Sequence, residues 1–229
     1  MERIVLIETS TALCSVALAV DGKVVRYLES GEPRAHASLT AVFVDEILRA
    51  EKLELKDCSA ICVSKGPGSY TGLRVGVSSA KGLCFGSKLP LLAVGTLEAL
   101  VHQAIDENLV PEGCRWIIPM IDARRMEVYT AVFTPDGRQV RDTEAMVIDT
   151  QSFAAERAEG PVLFIGDGAG KCSEVLACEG AHFIQCCPKA SAMLHPALDA
   201  YKEKRFEDVA YFEPFYLKEF VATKGKKLF

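Results

Sequence analysis

Two segments of the chain repeat the same order of residue types. The first is "RIVLIETSTALCSVALAVDGKVV", from residue 3, and the second is "RWIIPMIDARRMEVYTAVFTPDGRQV", from residue 115. Each contains an apolar strand pattern that ends in an acid (Glu8 or Asp122), a short polar loop, an alternating strand pattern and an Asp-Gly turn. Two copies of one plan restrict the fold more than any single motif does. The sequence therefore predicts two lobes built alike.

Strands and helices alternate between the two copies. The first half predicts three antiparallel strands, then a helix, a buried strand, a glycine loop, a second helix, another strand and a helix that begins near Thr96. The polar segment "DENLVPEG" ends that helix, so we divide the chain into lobes at 1–110 and 111–229. The fold class is α/β, with a mixed sheet and helices in each lobe. We expect the last helix of the second lobe to pack back on the first.

The glycine loop lies in "SKGPGSYTGLRVGVSSAKGL", residues 64–83. A Gly-Pro-Gly turn precedes Ser69 and Thr71, which are both good helix N-caps. The N-terminus of such a helix can hold an anion, so a phosphate site is one interpretation of the loop.

Small residues recur along one side of the predicted second helix. Gly72, Gly76, Ala80 and Cys84 are spaced four residues apart. A glycine costs a helix about 1 kcal/mol relative to alanine, so stability alone does not explain the glycines here. Close approach of a helix from another protein would explain them. Burial inside the monomer is the alternative.

The predicted first helix carries two apolar stripes. One consists of Leu39, Phe43 and Ile47, and the other of Ala37, Ala41, Val44 and Leu48. A helix that is apolar on two faces is buried on two sides, and a small lobe offers only one sheet to bury it. We therefore expect a partner interface that consists of Leu39, Phe43, Ile47, Gly72, Gly76 and Ala80.

Charge and cysteine content exclude several classes of protein. A formal net charge of −5 argues against tight unaided binding to nucleic acid. The nine cysteines show no zinc-ligand spacing, so we expect free thiols in a reducing cytosol. Glu2 and Glu8 interrupt the apolar start, and no run approaches the length of a membrane span. We expect a cytoplasmic protein with no membrane contact.

The duplicated plan is similar to that of the actin, hexokinase and Hsp70 superfamily (ASKHA), whose lobes are ribonuclease H-like. The segments "IETST", "GPGSYTGLRVGVSSAKGL", "IDARRMEVY" and "PFYLK" resemble more closely the TsaB (YeaZ) family. The resemblance extends from Ile4 to about Lys218. It implies two actin-like lobes and a role in making N6-threonylcarbamoyladenosine (t6A) in tRNA. It also implies a distant relation to the catalytic paralogue TsaD.

The resemblance to TsaD further implies that this chain has lost a metal centre. TsaD carries an H-x-x-x-H motif whose two histidine positions correspond here to Thr96 and Leu100. Leucine cannot bind a metal ion. The four histidines, at positions 36, 102, 182 and 195, include no pair with ligand spacing. We therefore predict no metal site, and no protease activity of the kind once attributed to relatives.

The nucleotide-binding motifs are incomplete. "FIGDGAGKCSE" lacks the spacing of a Walker A loop and the last glycine of a dinucleotide fingerprint, so we interpret it as a strand-to-helix turn. In the actin-like superfamily an acid at the end of the first strand of each lobe holds Mg2+ and phosphates. The candidate nucleotide contacts are Glu8, Asp122, Gly166 and Gly168. On the alternative interpretation the two acids simply end their strands.

Two functions remain. The first is a non-catalytic subunit that binds and supports a TsaD-like catalytic subunit, with no catalytic residue and no cofactor bound by this chain alone. The resemblance then implies a TsaE-like ATPase as a further partner, tRNA bound through the complex, and ATP with Mg2+ bound by the partners. The alternative is a free-standing ATP-dependent phosphotransferase or ATPase of the actin-like superfamily. A homodimer of the isolated chain, and a contact of the tail Lys224–Lys227 with tRNA, stay open.

Overall fold

A computed structural model describes residues 1–218 of the chain. The tail at Lys224–Lys227, named above as a possible tRNA contact, lies outside the described residues. All nine cysteines lie within them, and each is a free thiol. Across residues 1–218, no helix has both the length and the apolar composition to cross a membrane.

The first lobe is one mixed sheet with three helices. Its elements are β1 (Arg3–Glu8), β2 (Cys14–Val20), β3 (Lys23–Ser30), α1 (His36–Ala50), β4 (Ala60–Gly66), α2 (Tyr70–Ser87), β5 (Leu91–Gly95) and α3 (Thr96–Asp106). The strand order is β3-β2-β1-β4-β5, with β1, β2 and β3 antiparallel and β1, β4 and β5 parallel. Asp21 and Gly22, at φ of 46° and 78°, form the predicted two-residue turn between β2 and β3.

The second lobe repeats this topology. Its elements are β6 (Trp116–Asp122), β7 (Glu127–Phe133), β8 (Gln139–Val147), α4 (Ala154–Ala158), β9 (Val162–Ile165), α5 (Ala169–Leu176), β10 (Ala181–Ile184) and α6 (Leu194–Lys202). The order β10-β9-β6-β7-β8 places an antiparallel meander beside two parallel strands, as in the first lobe. The duplication predicted from the sequence is confirmed.

Helices cover both faces of the first sheet. One face packs against α1 and α2, through strand residues such as Ile7 and Val63. The opposite face packs against α6 and against Ala99 of α3. Leu97 and Leu100 of α3 belong instead to the core of the second sheet. Helix α3 therefore lies between the two sheets and joins the lobes through buried apolar contacts.

The segment that follows α6 returns along the first lobe. Lys81 of α2 donates hydrogen bonds to the carbonyl oxygens of Ala210 and Phe212, at 3.1 and 3.0 Å. The Phe215 N–H then donates to the carbonyl oxygen of Lys65 at 2.7 Å. These contacts bring the end of the described chain to the glycine loop.

Candidate functional site

The glycine loop packs against the loop that joins β1 to β2. The Ser69 N–H donates to the Ser10 carbonyl oxygen at 2.6 Å, and Thr9 Oγ1 donates to the Gly72 carbonyl oxygen at 2.8 Å. A Cβ on Gly68 would lie 2.4 Å from the Ser10 carbonyl oxygen, far inside van der Waals contact. Glycine is required there because another stretch of the same chain comes so close. Ser69 also caps α2 as predicted, since its Oγ accepts from the Gly72 N–H at 3.3 Å.

The small-residue side of α2 is enclosed by the first lobe. Gly72, Gly76 and Ala80 are all buried. A Cβ on Gly76 would lie 2.2 Å from Thr9 Oγ1 and 3.4 Å from Val63 Cγ2. The placement of these three residues at a partner interface therefore needs correction, because the neighbour they make room for is a loop and strand of their own lobe. The structure supports the alternative of burial inside the monomer.

The three α1 residues predicted at the partner interface differ in their exposure. Ile47 is buried in the core beneath α1, whereas Leu39 and Phe43 are half-buried and reach the surface. The solvent side of the same helix also exposes Val42, at 45%. An interface on α1 can therefore use Leu39 and Phe43 but not Ile47.

The solvent side of α2 carries a second set of small residues, next to a large one. Gly82 and Gly86 are exposed, and a Cβ on either would meet nothing within 4 Å. Ser78 is exposed one turn before Gly82, and Phe85 is 83% exposed. We use the name outer face for the surface that consists of Leu39, Val42, Phe43, Ser78, Gly82 and Phe85. Because α1 and α2 pack side by side on one face of the sheet, their solvent sides form one surface.

A cleft of about 1080 Å3 opens between the lobes. The first lobe lines it with the β1–β2 loop, the glycine loop and the segment before α1, and the second lobe with the β6–β7 loop and Asp167. The segment 215–218 also lines it, and there the Tyr216 ring lies 5.1 Å from the Tyr70 ring. The loops predicted to hold phosphates therefore do meet across one cleft.

Glu8 does not reach this cleft. Its side chain is fully buried, and Oε1 accepts hydrogen bonds from the Ser10 N–H at 2.6 Å and from Ser64 Oγ at 3.0 Å. Its Oε2 has no hydrogen-bond partner within the described chain. Burial raises the pKa of Glu8 to about 7, against the lowering effect of those hydrogen bonds. Glu8 therefore anchors the β1–β2 loop, and it is enclosed where a nucleotide-binding acid would have to be open.

Asp122 does line the cleft, but a cation of its own lobe is already paired with it. Lys171 Nζ contacts Asp122 Oδ1 and also donates to the Glu127 carbonyl oxygen at 2.6 Å. The Arg124 N–H donates to the same Asp122 oxygen at 2.7 Å. Asp167 accepts from the Asp122 N–H at 2.8 Å, and burial raises the pKa of Asp167. The acids of the second lobe are therefore occupied by local contacts.

Gly166 and Gly168 form a strand-to-helix turn between β9 and α5, as the sequence predicts. Gly166 has a φ of 133°, and a Cβ there would lie 2.2 Å from the Met120 carbonyl oxygen. A Cβ on Gly168 would lie 3.0 Å from Val128 Cγ1. Both glycines are explained by packing against β6 and β7, without a nucleotide.

The residues present do not fit the Mg2+ site of a nucleotide-binding actin-like protein. Glu8 is enclosed and Asp122 is paired with Lys171, so the two lobes do not present facing carboxylates. No group of three or more His, Cys, Asp or Glu side chains within residues 1–218 could hold a metal ion. Thr96 and Leu100, at the positions of the TsaD histidines, are both buried in the core.

Two features of the cleft are not singled out by sequence reasoning. Arg34 and Arg124 line the cleft from opposite lobes. The Thr11 hydroxyl is buried in its wall and has no hydrogen-bond partner among residues 1–218. A search for arginines in the short loops beside the duplicated acids would have found Arg124 but not Arg34.

A family model, curated proteins and solved structures are all similar to this chain. The family model for TsaD, described as tRNA N6-adenosine threonylcarbamoyltransferase, matches residues 32–211. The tRNA threonylcarbamoyladenosine biosynthesis protein TsaB of Escherichia coli K12 is 33% identical over 234 residues, which cover 97% of each chain. The structure of YeaZ from Pseudomonas aeruginosa superposes with a TM-score of 0.81 at 27% identity, over 95% of this chain and all of that one.

A more distant structure shares the fold alone. The inorganic polyphosphate/ATP-glucomannokinase of Arthrobacter sp. strain KM has a TM-score of 0.51 at 10% identity, over 89% of this chain and all of that one. The two five-stranded mixed sheets with their helices therefore form the two-lobed fold of actin-like ATPases and sugar kinases.

Proposed function

This chain belongs to the TsaB (YeaZ) family, and from that premise we propose that it is a subunit of the machinery that makes N6-threonylcarbamoyladenosine in tRNA. Its role is to bind and support a TsaD-like catalytic subunit, without carrying out the transfer itself. The name of its E. coli relative supports the process. The match to the TsaD family model supports a common domain plan with the catalytic paralogue.

The outer face of α1 and α2 is the observation that carries the pairing. Gly82 and Gly86 each cost α2 about 1 kcal/mol relative to alanine, yet nothing within the described chain occupies the space beside them. Phe85 extends into solvent from the same side of the helix, at 83% exposure. A large apolar side chain beside positions without side chains is typical of a surface on which a helix of another protein packs closely.

A TsaD-like subunit is the partner that best fits this surface. Paralogues with one lobe plan carry a helix pair at the corresponding place, so two such pairs can pack as four helices. The apolar residues Leu39, Val42 and Phe43 would then be buried together with Phe85. The half-buried and exposed states of these residues in the single chain agree with a surface that a partner covers.

The chemistry belongs to the partners. Glu8 is enclosed and Asp122 is paired with Lys171. Neither carboxylate is therefore open to act in the transfer of threonylcarbamoyl from its adenylate to tRNA. ATP and Mg2+ are bound by the TsaD-like and TsaE-like partners, and tRNA is bound through the complex. The same two observations argue against a free-standing phosphotransferase, which would need both acids open to the cleft.

Reconstitution of t6A formation tests this function. Unmodified tRNA is incubated with a TsaD-like subunit, a TsaE-like ATPase and threonylcarbamoyl-adenylate, with and without this chain, and t6A is measured by mass spectrometry of nucleosides. We expect modification to require the chain, and Gly82→Leu to lower it. Modification at the full rate without the chain would contradict the proposal.

A further inference from the structure

The end of the described chain crosses from one lobe to the other. Val209 and Phe212 pack against the core beneath α1 and α2 in the first lobe. Farther along the chain, Lys218 Nζ forms an ion pair with the carboxylate of Glu127, at the start of β7 in the second lobe. We use the name strap for residues 213–218, which connect these two points.

The strap forms one wall of the interlobe cleft. Its residues 215–218 line the cleft together with the glycine loop of the first lobe and the β6–β7 loop of the second. A Cβ on Gly66 would lie 3.0 Å from the Phe215 carbonyl oxygen, so the strap passes close to the start of the glycine loop. Displacement of the strap would therefore open the cleft on that side.

The contacts that hold the strap to the first lobe are few and lie near solvent. The Phe215 N–H donates to the Lys65 carbonyl oxygen at 2.7 Å. Arg74 Nε donates to Tyr216 Oη at 3.2 Å, and the Tyr216 ring lies 5.1 Å from the Tyr70 ring. Phe215 and Tyr216 are 45% and 37% exposed. Segments held by a few exposed contacts open at a low free energy while the rest of the protein stays folded.

The chain just before the strap is held more firmly. Lys81 of α2 donates to the carbonyl oxygens of both Ala210 and Phe212, at 3.1 and 3.0 Å. The Phe212 ring is half-buried against the core beneath α1 and α2. Glu213, which follows, is exposed and lies outside any helix or strand. The change from firmly held to weakly held chain therefore falls at Glu213.

The ion pair between Lys218 and Glu127 fastens the far end of the strap. The two side chains are 41% and 22% exposed. An ion pair this close to solvent contributes little to stability and is screened by salt. Removal of either charge should therefore shift the strap toward an open position by a small but measurable factor.

We infer that the strap is a hinged closure of the interlobe cleft, which turns at Glu213 and is held across the two lobes by the ion pair between Lys218 and Glu127. Its opening exposes the cleft beside the glycine loop without unfolding either lobe. This inference goes beyond the proposed subunit role, because it concerns the isolated chain and needs no partner.

Amide hydrogen exchange of Phe215, followed by NMR on the full chain, measures the opening, because the closed strap bonds this N–H to Lys65. Lys218→Met and Glu127→Gln each remove one charge of the pair, and each should speed the exchange about two- to fivefold. The double variant should exchange no faster than either single variant, since the two charges act through one pair. Unchanged rates in the single variants, or factors that multiply in the double variant, would overturn the inference.

A matched charge variant and a salt series separate the ion pair from general electrostatics. Lys23→Met removes the same charge from an exposed position on β3 and should leave the exchange of Phe215 unchanged. Raising the salt concentration from about 0.01 M to 1 M shortens the screening length from about 30 Å to 3 Å. It should speed the exchange in the wild type but not in Lys218→Met. Equal acceleration by the two lysine variants, or equal salt responses of the wild type and Lys218→Met, would contradict the inference.

A neutral paramagnetic cosolvent tests whether the cleft opens with the strap. Lys218→Glu is the variant used, because it places like charges together and favours the open strap further. Gly68 and Tyr129 line the cleft from opposite lobes and are half-buried. The cosolvent should relax their amide protons faster in the variant than in the wild type, whereas exposed Gly82 on the outer face should not change. Faster exchange of Phe215 without faster relaxation at Gly68 and Tyr129 would mean that the segment frays and the cleft stays closed, which would overturn the inference.

Discussion

Thr9 Oγ1 donates a hydrogen bond to the Gly72 carbonyl oxygen at 2.8 Å, across 63 positions of the sequence. Thr9 Oγ1 would also lie 2.2 Å from a Cβ on Gly76. One side chain of the β1–β2 loop thus fixes the position of α2 and fills the space beside its glycines. The glycine loop and the thin helix are therefore parts of the first lobe's own packing.

Gly76→Ala should destabilise the isolated chain. The added methyl group collides with buried Thr9 Oγ1, and overpacking of this kind costs about 1–3 kcal/mol. Thermal melting should show a fall of several degrees. Gly82→Ala is the matched control, because its Cβ enters open space and should raise stability by up to about 1 kcal/mol. Equal melting temperatures for the two variants would show that α2 is not packed in this way.

Buried Glu8 should make stability depend on pH. Its pKa is raised from 4.5 to about 7 by burial, so the folded state holds the proton more tightly than the unfolded state does. The stabilisation is fully present below about pH 4.5 and is lost as the pH rises through 7. Glu8→Gln removes this pH-dependent contribution to stability but keeps an oxygen that can accept the hydrogen bonds of Ser10 and Ser64.

Denaturant unfolding of the wild type and of Glu8→Gln across that pH range isolates the contribution of Glu8 ionisation to stability. The stability of the wild type relative to Glu8→Gln should fall by about 3 kcal/mol between pH 4.5 and pH 8. A difference that stays constant with pH would mean that Glu8 is not buried as an isolated acid.

The sequence predicts the two-lobe plan, because the duplicated pattern places the same pair of strands and the same turn at the start of each lobe. The strand-to-helix turn at Gly166 and the cap at Ser69 also follow from local residue types. The face of α2 that is buried could not be predicted. Helical periodicity shows that Gly72 and Gly76 share a side, but their neighbour, Thr9, is distant in sequence and depends on tertiary packing.

The exposure of the two strand-end acids also could not be predicted from the sequence. Glu8 and Asp122 occupy equivalent places in the repeated pattern, yet one is fully buried and the other is exposed. The difference comes from what covers each strand end, since the β1–β2 loop closes over Glu8 whereas Lys171 reaches Asp122 from α5. Contacts between separate elements decide exposure, and a strand pattern carries no information about them.

The isolated chain should hydrolyse ATP no faster than a buffer control. Glu8 is enclosed and Asp122 is paired, so neither can orient Mg2+ on a triphosphate. Phosphate release from purified protein is the measurement. A robust turnover that disappears in Asp122→Ala would instead support the phosphotransferase.

The chain alone should not bind tRNA tightly at physiological salt. Its net charge of −5 provides no extended cationic surface to replace counterions. A gel-shift titration is sufficient to test this. Sub-micromolar affinity without any partner would contradict the expectation, whereas weak binding that vanishes as salt rises would not.

Titration of the chain with a TsaD-like subunit tests the pairing most directly. Gly82→Leu adds a side chain to the outer face without a clash in the monomer, so the variant should melt at or above the wild-type temperature. Its affinity for the TsaD-like subunit should fall by about ten- to a hundredfold. Ala155→Leu, an exposed position on α4 of the second lobe, is the control and should bind like the wild type. If Gly82→Leu folds normally and pairs as tightly as Ala155→Leu, the outer face is not the surface that binds the catalytic subunit.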